Sequence, residues 1–261
     1  MKKISVIILA ILISFNANAG TDGENILSKN RAEKIDDCFV GVNKSIFAFN
    51  QGLDKAIFKP VASAYRKLPT KIRKGAGNVL NNLSNLLTIP NNIFQGEIGL
   101  AGSNSARLLV NSTVGVLGIF DVASNMGLDA NDKEDYGQTL ATWGVGPGCY
   151  IVLPIMGPST LRDVVGTFGS MGGGLDPWYN ITVKKDTQHF TDFDYYTSRV
   201  GNALDFRAKN IDSFENLEKN SMDFYASVKS LYLQDRSQKI LNTKKSITTQ
   251  NDSDWEEIES N

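Results

Sequence analysis

Apolar residues recur at spacings of three and four along most of this chain, but the faces opposite them are unusual. Between Ile46 and Tyr65, the residues Ile46, Phe49, Leu53, Ile57 and Val61 fall on one helical stripe. Pro60 interrupts that stripe, so the pattern predicts a kink or two shorter helices. Thr70 is placed to cap a second helix carrying Ile72, Ala76, Val79, Leu80, Leu83, Leu86 and Leu87. Its other face is built from Asn78, Asn81, Asn82 and Asn85 rather than from charges. Pro90 follows, and Gln95-Gly96-Glu97 reads as a turn. The chain then returns through residues 105–120, apolar on nearly all sides after Arg107.

These two segments predict a helical hairpin with no charge between Lys74 and Glu97 or between Arg107 and Asp121. A helix exposed to water normally carries charge on its outer face. The hairpin therefore sits either in the core or against a membrane or partner. Sixteen helical residues span about 24 Å, short of the ~30 Å hydrocarbon core, so the hairpin is expected to enter the interface or one leaflet rather than cross.

Further on, residues 121–136 are polar and acidic. Tyr136–Val165 sets glycines and prolines around two short apolar runs, and residues 166–177 interleave glycines with Phe168, Met171 and Leu175. Glycine at this density permits close backbone approach. Residues 145–154 are the best strand candidate, although their glycines and prolines argue against a central strand. Tyr196, Val200, Leu204, Ile211, Phe214 and Leu217 mark a conventional amphipathic face, and Phe224, Tyr225, Val228, Leu231 and Tyr232 mark another. The predicted class is all-α.

The ends change the picture of where this chain works. Lys2 and Lys3, an apolar run to Phe15 and Ala17-Asn18-Ala19 form the pattern of a cleaved signal peptide over residues 1–19. Residues 20–35 form a polar segment, 36–240 a helical domain, and 241–261 a polar tail expected to be disordered. No cysteine lies near the cleavage site, so lipidation there is not expected. The charge balance, 27 Lys+Arg against 28 Asp+Glu before cleavage, gives no reason to expect nucleic acid. In an exported protein Cys38 and Cys149 are free to form a disulfide; spacing alone leaves pairing and two buried thiols evenly matched.

Enzyme motifs are scarce. There is no G-x-S-x-G, Walker A or H-E-x-x-H pattern. His189, the one histidine, lies in a polar stretch and reads as a surface residue. Asp129, Asp132, Glu134 and Asp135 lack the spacing of a calcium loop and read as solvated charge; no metal or cofactor is expected. Arg162-Asp163 reads as a local ion pair fixing the glycine-rich region.

The blocks Asp37–Lys44, Phe47–Asn50, Lys59–Ala62, Asn81–Leu83, Pro90–Asn92 and Phe94–Gly96 resemble the MlaA (VacJ) family. So do Arg107–Gly115, Gly118–Ala123, Asp135–Leu140, Trp143–Gly148, Leu153-Pro154, Gly157–Ser159, Leu161–Asp163 and the closing Leu233–Arg236. The resemblance implies a ring-shaped helical bundle with an amphipathic central channel, seated in the inner leaflet of the outer membrane. It implies a protein that removes mislocalised phospholipid from the outer leaflet and passes it to a periplasmic lipid carrier, beside a trimeric porin, without breaking a bond. A porin-associated periplasmic scaffold without a lipid path is the alternative.

On this reading the channel wall and gate fall to Gly144, Gly146, Gly148, Gly172, Gly173 and Gly174. The membrane- or porin-facing surface falls to Leu83, Leu87, Ile93, Phe94, Leu108, Leu109, Val110, Val114 and Leu117. Cys38 and Cys149 stand where the family often has proline, which favours a disulfide between them. Val40 replaces the family's usual glutamate, so no role of that carboxylate transfers.

Overall fold

The computed structural model describes residues 35–248, with side chains to residue 241. The expected signal peptide and most of the polar segment after it lie outside the described residues, as do residues 249–261. Helix α1 is Val40–Leu53, followed by a π-helical turn over Asp54–Phe58 and by α2, Lys59–Arg66. Pro60 sits in the first turn of α2, where its missing N–H costs least. Helices α3, Thr70–Phe94, and α4, Ile98–Thr113, form the hairpin. Then come α5, Val122–Asn125, α6, Tyr136–Thr142, and α7, Leu161–Gly173. The chain ends with α8, Pro177–Thr182, α9, Asp192–Lys209, α10, Ile211–Asn220, and α11, Phe224–Thr248.

Two short strands interrupt this helical fold. β1, Tyr150–Leu153, pairs antiparallel with β2, Gly157–Thr160, in register Tyr150 to Thr160. The outer edge of β1 is covered by two amides of α1. Asn43 accepts from Val152 N and donates to Tyr150 O, while Asn50 accepts from Ile155 N and donates to Leu153 O. Their seven-residue spacing puts both on one helix face. Two asparagines thus take the place of a third strand at an edge that would otherwise be unpaired.

The helices pack in a closed circuit: α2 on α9, α9 on α3, α3 on α6, α6 on α11, α11 on α10, and α10 back on α2. The fold is a ring of helices. Where α6 meets α7, glycine sets the distance. A Cβ at Gly166 would stand 2.6 Å from Gly137 N, and one at Gly137 would stand 2.3 Å from Asp163 Oδ1.

Helix α3 continues through Pro90 to Phe94, and the Asn91 side chain adds a bond to Leu87 O beside the gap. One expectation is corrected. The returning helix starts earlier and stops earlier than residues 105–120. Val116, Leu117 and Gly118 take left-handed backbone (φ 53°, 57° and 89°), which no α-helix accommodates. Helix α11 runs to Thr248.

Candidate functional site

The hairpin has its polarity reversed. Asn82, Asn85, Thr88, Asn91, Asn92, Asn104, Arg107 and Asn111 are buried, while Ile93, Phe94, Ile98, Leu109, Val114, Leu117 and Phe120 are exposed. Leu109 and Leu117 keep 66% and 75% of their surface in the open, the reverse of a water-soluble helix pair.

Amides suit such an interior because each both donates and accepts. Asn104 Nδ2 donates to Asn92 Oδ1 at 2.9 Å, and Thr139 Oγ1 to Asn91 Oδ1 at 2.6 Å. Asn78 Nδ2 donates to Ile119 O, and Asn82 Nδ2 to Ser112 Oγ, so the amide face of α3 holds the chain that follows α4. Gly118 lies against Asn82, closer than any Cβ would allow. Arg107 grips Asp121 with both oxygens at 3.0 and 3.1 Å and also donates to Ser124 Oγ and Leu128 O. Burial opposes ionisation of Asp121, but bonds from Ser124, Asn111 and Arg107 outweigh it and hold the carboxyl below its usual range. This buried lattice presents Val114, Val116, Leu117, Ile119 and Phe120 outward as an apolar loop.

Inside the ring lies a cavity of about 400 Å³, walled by α3, α6, α8, α9 and α11. Its lining includes Ser84, Thr88, Lys133, Glu134, Asp135, Gln138, Asp176 and Arg199, with Leu83 and Leu87 as apolar patches. A second cavity of about 320 Å³, between α3, α4 and the segment before α6, is lined by Asn78, Asn81, Asn82, Asn85, Arg107, Asn111 and Asp121. Lys133 belongs to both walls. A smaller, more apolar hollow of about 220 Å³ lies between α1, the hairpin strands and α9–α11.

Glu134 and Asp135 are not the solvated loop charges their spacing suggests. Glu134 is buried and bonded to Gln95 Nε2 at 3.0 Å. Burial pushes its carboxyl up to about 7, with Glu97 and Asp135 pushing the same way. Asp135 caps α6 through Gln138 N and receives both guanidinium nitrogens of Arg236 at 2.6 Å. Although burial opposes it, that pairing holds Asp135 below its usual range. Asp163 joins the same cluster, touching Arg236 at 2.9 Å, Arg162 at 3.0 Å and Tyr232 OH at 2.7 Å. The Arg162-Asp163 pair thus has a structural setting, pinning α7 to α11.

The remaining predicted residues fall as follows. Gly144 and Gly148 have left-handed backbone in the loop after α6, and Gly174 ends α7 in the same conformation. Gly146, Gly172 and Gly173 have open space beside them, with at most a loose contact to Leu175. None of these six lines any of the three cavities. Of the surface set, Ile93, Phe94, Leu109, Val114 and Leu117 face out, Leu108 and Val110 are half-buried, and Leu83 and Leu87 turn inward to the large cavity. His189 is exposed, against Thr187 O. Cys38 and Cys149 are disulfide-bonded with Cα atoms 5.6 Å apart, tying the start of α1 to β1.

The MlaA lipoprotein family model matches residues 35–239, nearly the whole described chain. The chain belongs to the MlaA family. It is 30% identical over 227 residues to the intermembrane phospholipid transport system lipoprotein MlaA of Escherichia coli, covering 84% of this chain and 80% of that protein. The Haemophilus influenzae protein of the same name is 28% identical, at 89% and 90% coverage. An uncharacterized protein of Rickettsia bellii is 31% identical, at 90% and 91%. A solved chain described under the structural basis for maintenance of bacterial outer membrane lipid asymmetry superimposes with a TM-score of 0.65 at 30% identity. The match covers 77% of this chain and 96% of that one. No helix of the described residues is long and apolar enough to cross a membrane.

Sequence reasoning missed Lys133 as a cavity residue, along with Asn91, Asn92 and Asn104 as buried groups. The signal available for the amides was their place on the helix: Asn78, Asn81, Asn82, Asn85 and Asn92 repeat at three, four and seven, as core residues do. Lys133 gave no such signal, because it lies outside a helix.

Proposed function

We propose that this protein moves phospholipid at the outer membrane, from the outer leaflet toward a periplasmic lipid carrier, beside a trimeric porin. The observation that supports this reading most directly is the reversed polarity of the α3–α4 hairpin. Exposed Leu109, Val114, Leu117 and Phe120 suit the hydrocarbon of the inner leaflet. The amide-lined interior suits a charged headgroup, whose transfer through bare hydrocarbon is costly. On this reading the acyl chains stay with apolar surfaces while the headgroup moves through the ring. The names of the Escherichia coli and Haemophilus influenzae relatives point the same way. Gly144, Gly148 and Gly174, at the ends of α6 and α7, are assigned as hinges of the wall rather than as its lining.

The test is native mass spectrometry with lipid extraction on protein purified from outer membranes in mild detergent. It is paired with transfer of labelled phospholipid from vesicles to acceptor. Intact phospholipid bound to the protein, and transfer above the protein-free rate, are expected. Porin-bound protein without lipid would establish the scaffold instead, and lysophospholipid with free fatty acid would establish a hydrolase.

A further inference from the structure

The charges lining the two polar cavities are almost all matched. Arg107 is held by Asp121, Arg199 by Asp176 at 3.1 Å, and Lys239 by Asp235 at 2.7 Å. On the acidic side, Asp135 is held by Arg236, and Asp176 also caps α8 through Trp178 N and Tyr179 N. Lys133 differs. Its ammonium donates to the side-chain oxygen of Asn85 at 2.5 Å, and among the described residues it forms no salt bridge. An ammonium has three donors, so two remain without a protein acceptor among the described residues, on a residue that lines both cavities. A partly buried cation held by one neutral amide is costly to keep. Burial pushes Lys133 down to about 8, with Arg107 acting the same way and Asp121 opposing it, so at neutral pH it is still mainly charged.

We propose that Lys133 is the residue that holds the phosphate of a phospholipid headgroup as it passes between the two cavities, a specific binding point that rests on the transport reading above. One phosphodiester supplies the missing negative charge and acceptors for the free N–H groups. The neighbouring lining fits the rest of a small headgroup. The lining is neutral and polar, with Asn81, Asn82 and Asn111 on one side and Ser84 and Thr88 on the other, although the donors of Asn82, Asn111, Ser84 and Thr88 are bonded within the protein. Cavities of about 400 and 320 Å³ suit a headgroup and are too small for two acyl chains.

The full chain in mild detergent is tested as wild type, K133M, K133Q and K133R. The probe is dihexanoyl phosphatidylethanolamine followed by ³¹P NMR, with inorganic phosphate as a second probe and co-purified native lipid counted by mass spectrometry. The wild type and K133R are expected to shift the lipid phosphorus signal and retain lipid. K133M and K133Q are expected to lose the shift and bind about tenfold more weakly, while melting at or above the wild-type temperature because a partly buried charge without a salt bridge is gone. Equal lipid binding by wild type and both neutral variants would overturn the role of Lys133 and leave transport standing. Wild type that carries no phospholipid would overturn transport itself. An equal response to inorganic phosphate, with no retained lipid, would make this a free-phosphate site and overturn the headgroup assignment. If K133M does not fold, K133Q, neutral, polar and one atom shorter, carries the comparison.

Discussion

Two regions of the ring are built on opposite rules. Around the β-hairpin, Tyr150, Val152 and Tyr225 are buried with Ile46, Phe47, Tyr232 and Leu233 packed on them. Aromatic edges meet there, Phe47 with Tyr225 at 5.3 Å and Tyr150 with Tyr225 at 6.1 Å. This is an ordinary apolar core, closed by a disulfide. Around α3 and α4 the interior is amide and hydroxyl, and the apolar side chains are outside. In water the first region is driven together by the hydrophobic effect. The second gains little from that source and relies on a hydrogen-bond network in which most groups are paired, with Asn82 Oδ1, Gln95 Oε1 and Gln138 Oε1 left without a partner among the described residues. A protein that contacts both water and lipid can divide itself in this way: one part folds as a soluble core, the other places its apolar surface where lipid replaces water.

Loss of the disulfide should separate the regions most. Cys38 and Cys149 are 111 residues apart, and opening that loop in C38S/C149S should cost about 4–5 kcal/mol on loop entropy alone. Chemical denaturation should show the fall, with amide exchange rising first around β1 and α1. Uniform exchange across both regions would erase the distinction. Next, Gly166→Val drives a side chain into the α6 backbone and should cost about 2–3 kcal/mol, whereas Gly172→Val, with open space beside it, should stay within about 0.5 kcal/mol. Melting temperatures decide between them, and equal shifts would remove the assigned α6–α7 contact.

In the polar region, Asn91→Leu makes the interior more apolar yet should destabilise by about 1–3 kcal/mol, because Thr139 Oγ1 loses its acceptor. A stabilised variant would show that this interior is merely a poor core. Glu134 sharpens the same point through pH. Its carboxyl has a pKa of about 7 when folded and 4.5 ordinarily, so the folded state holds the proton more tightly. Its contribution therefore favours folding at low pH and is lost as pH rises from about 4.5 through 7. Glu134→Gln should remove that slope and be more stable than wild type at pH 8 by about 1–2 kcal/mol; an unchanged pH profile would contradict the burial. Smallest in stability is Leu109→Asp, within about 0.5 kcal/mol in detergent because Leu109 is exposed. It should nevertheless weaken partition into membranes, and unchanged fractionation would move the membrane surface elsewhere.

The hairpin shows what could be read in advance and what could not. Its lack of charge pointed to a membrane or partner surface, and Leu109, Val114 and Leu117 are exposed. The same reading set Leu83 and Leu87 on the outside, because spacing gives a face but not its direction. In this fold Asn82, Asn85, Asn91 and Asn92 of α3 point inward and the two leucines turn toward the ring's cavity. The glycines were legible as close-approach residues, but the contact that needs them lies at Gly137 and Gly166, not at Gly146 or Gly172. Only the neighbouring helix distinguishes these cases.

Taken alone, the sequence determined the helical class, the amphipathic stripes, the uncharged hairpin and the family resemblance, because periodicity and local motifs are properties of adjacent residues. Tertiary structure alone decided which face of α3 is inside, that Lys133 lines two cavities, and that Glu134 holds its proton near neutrality. Those outcomes depend on charges and surfaces brought together from distant segments, and burial, ion pairing and desolvation arise only once the ring has closed.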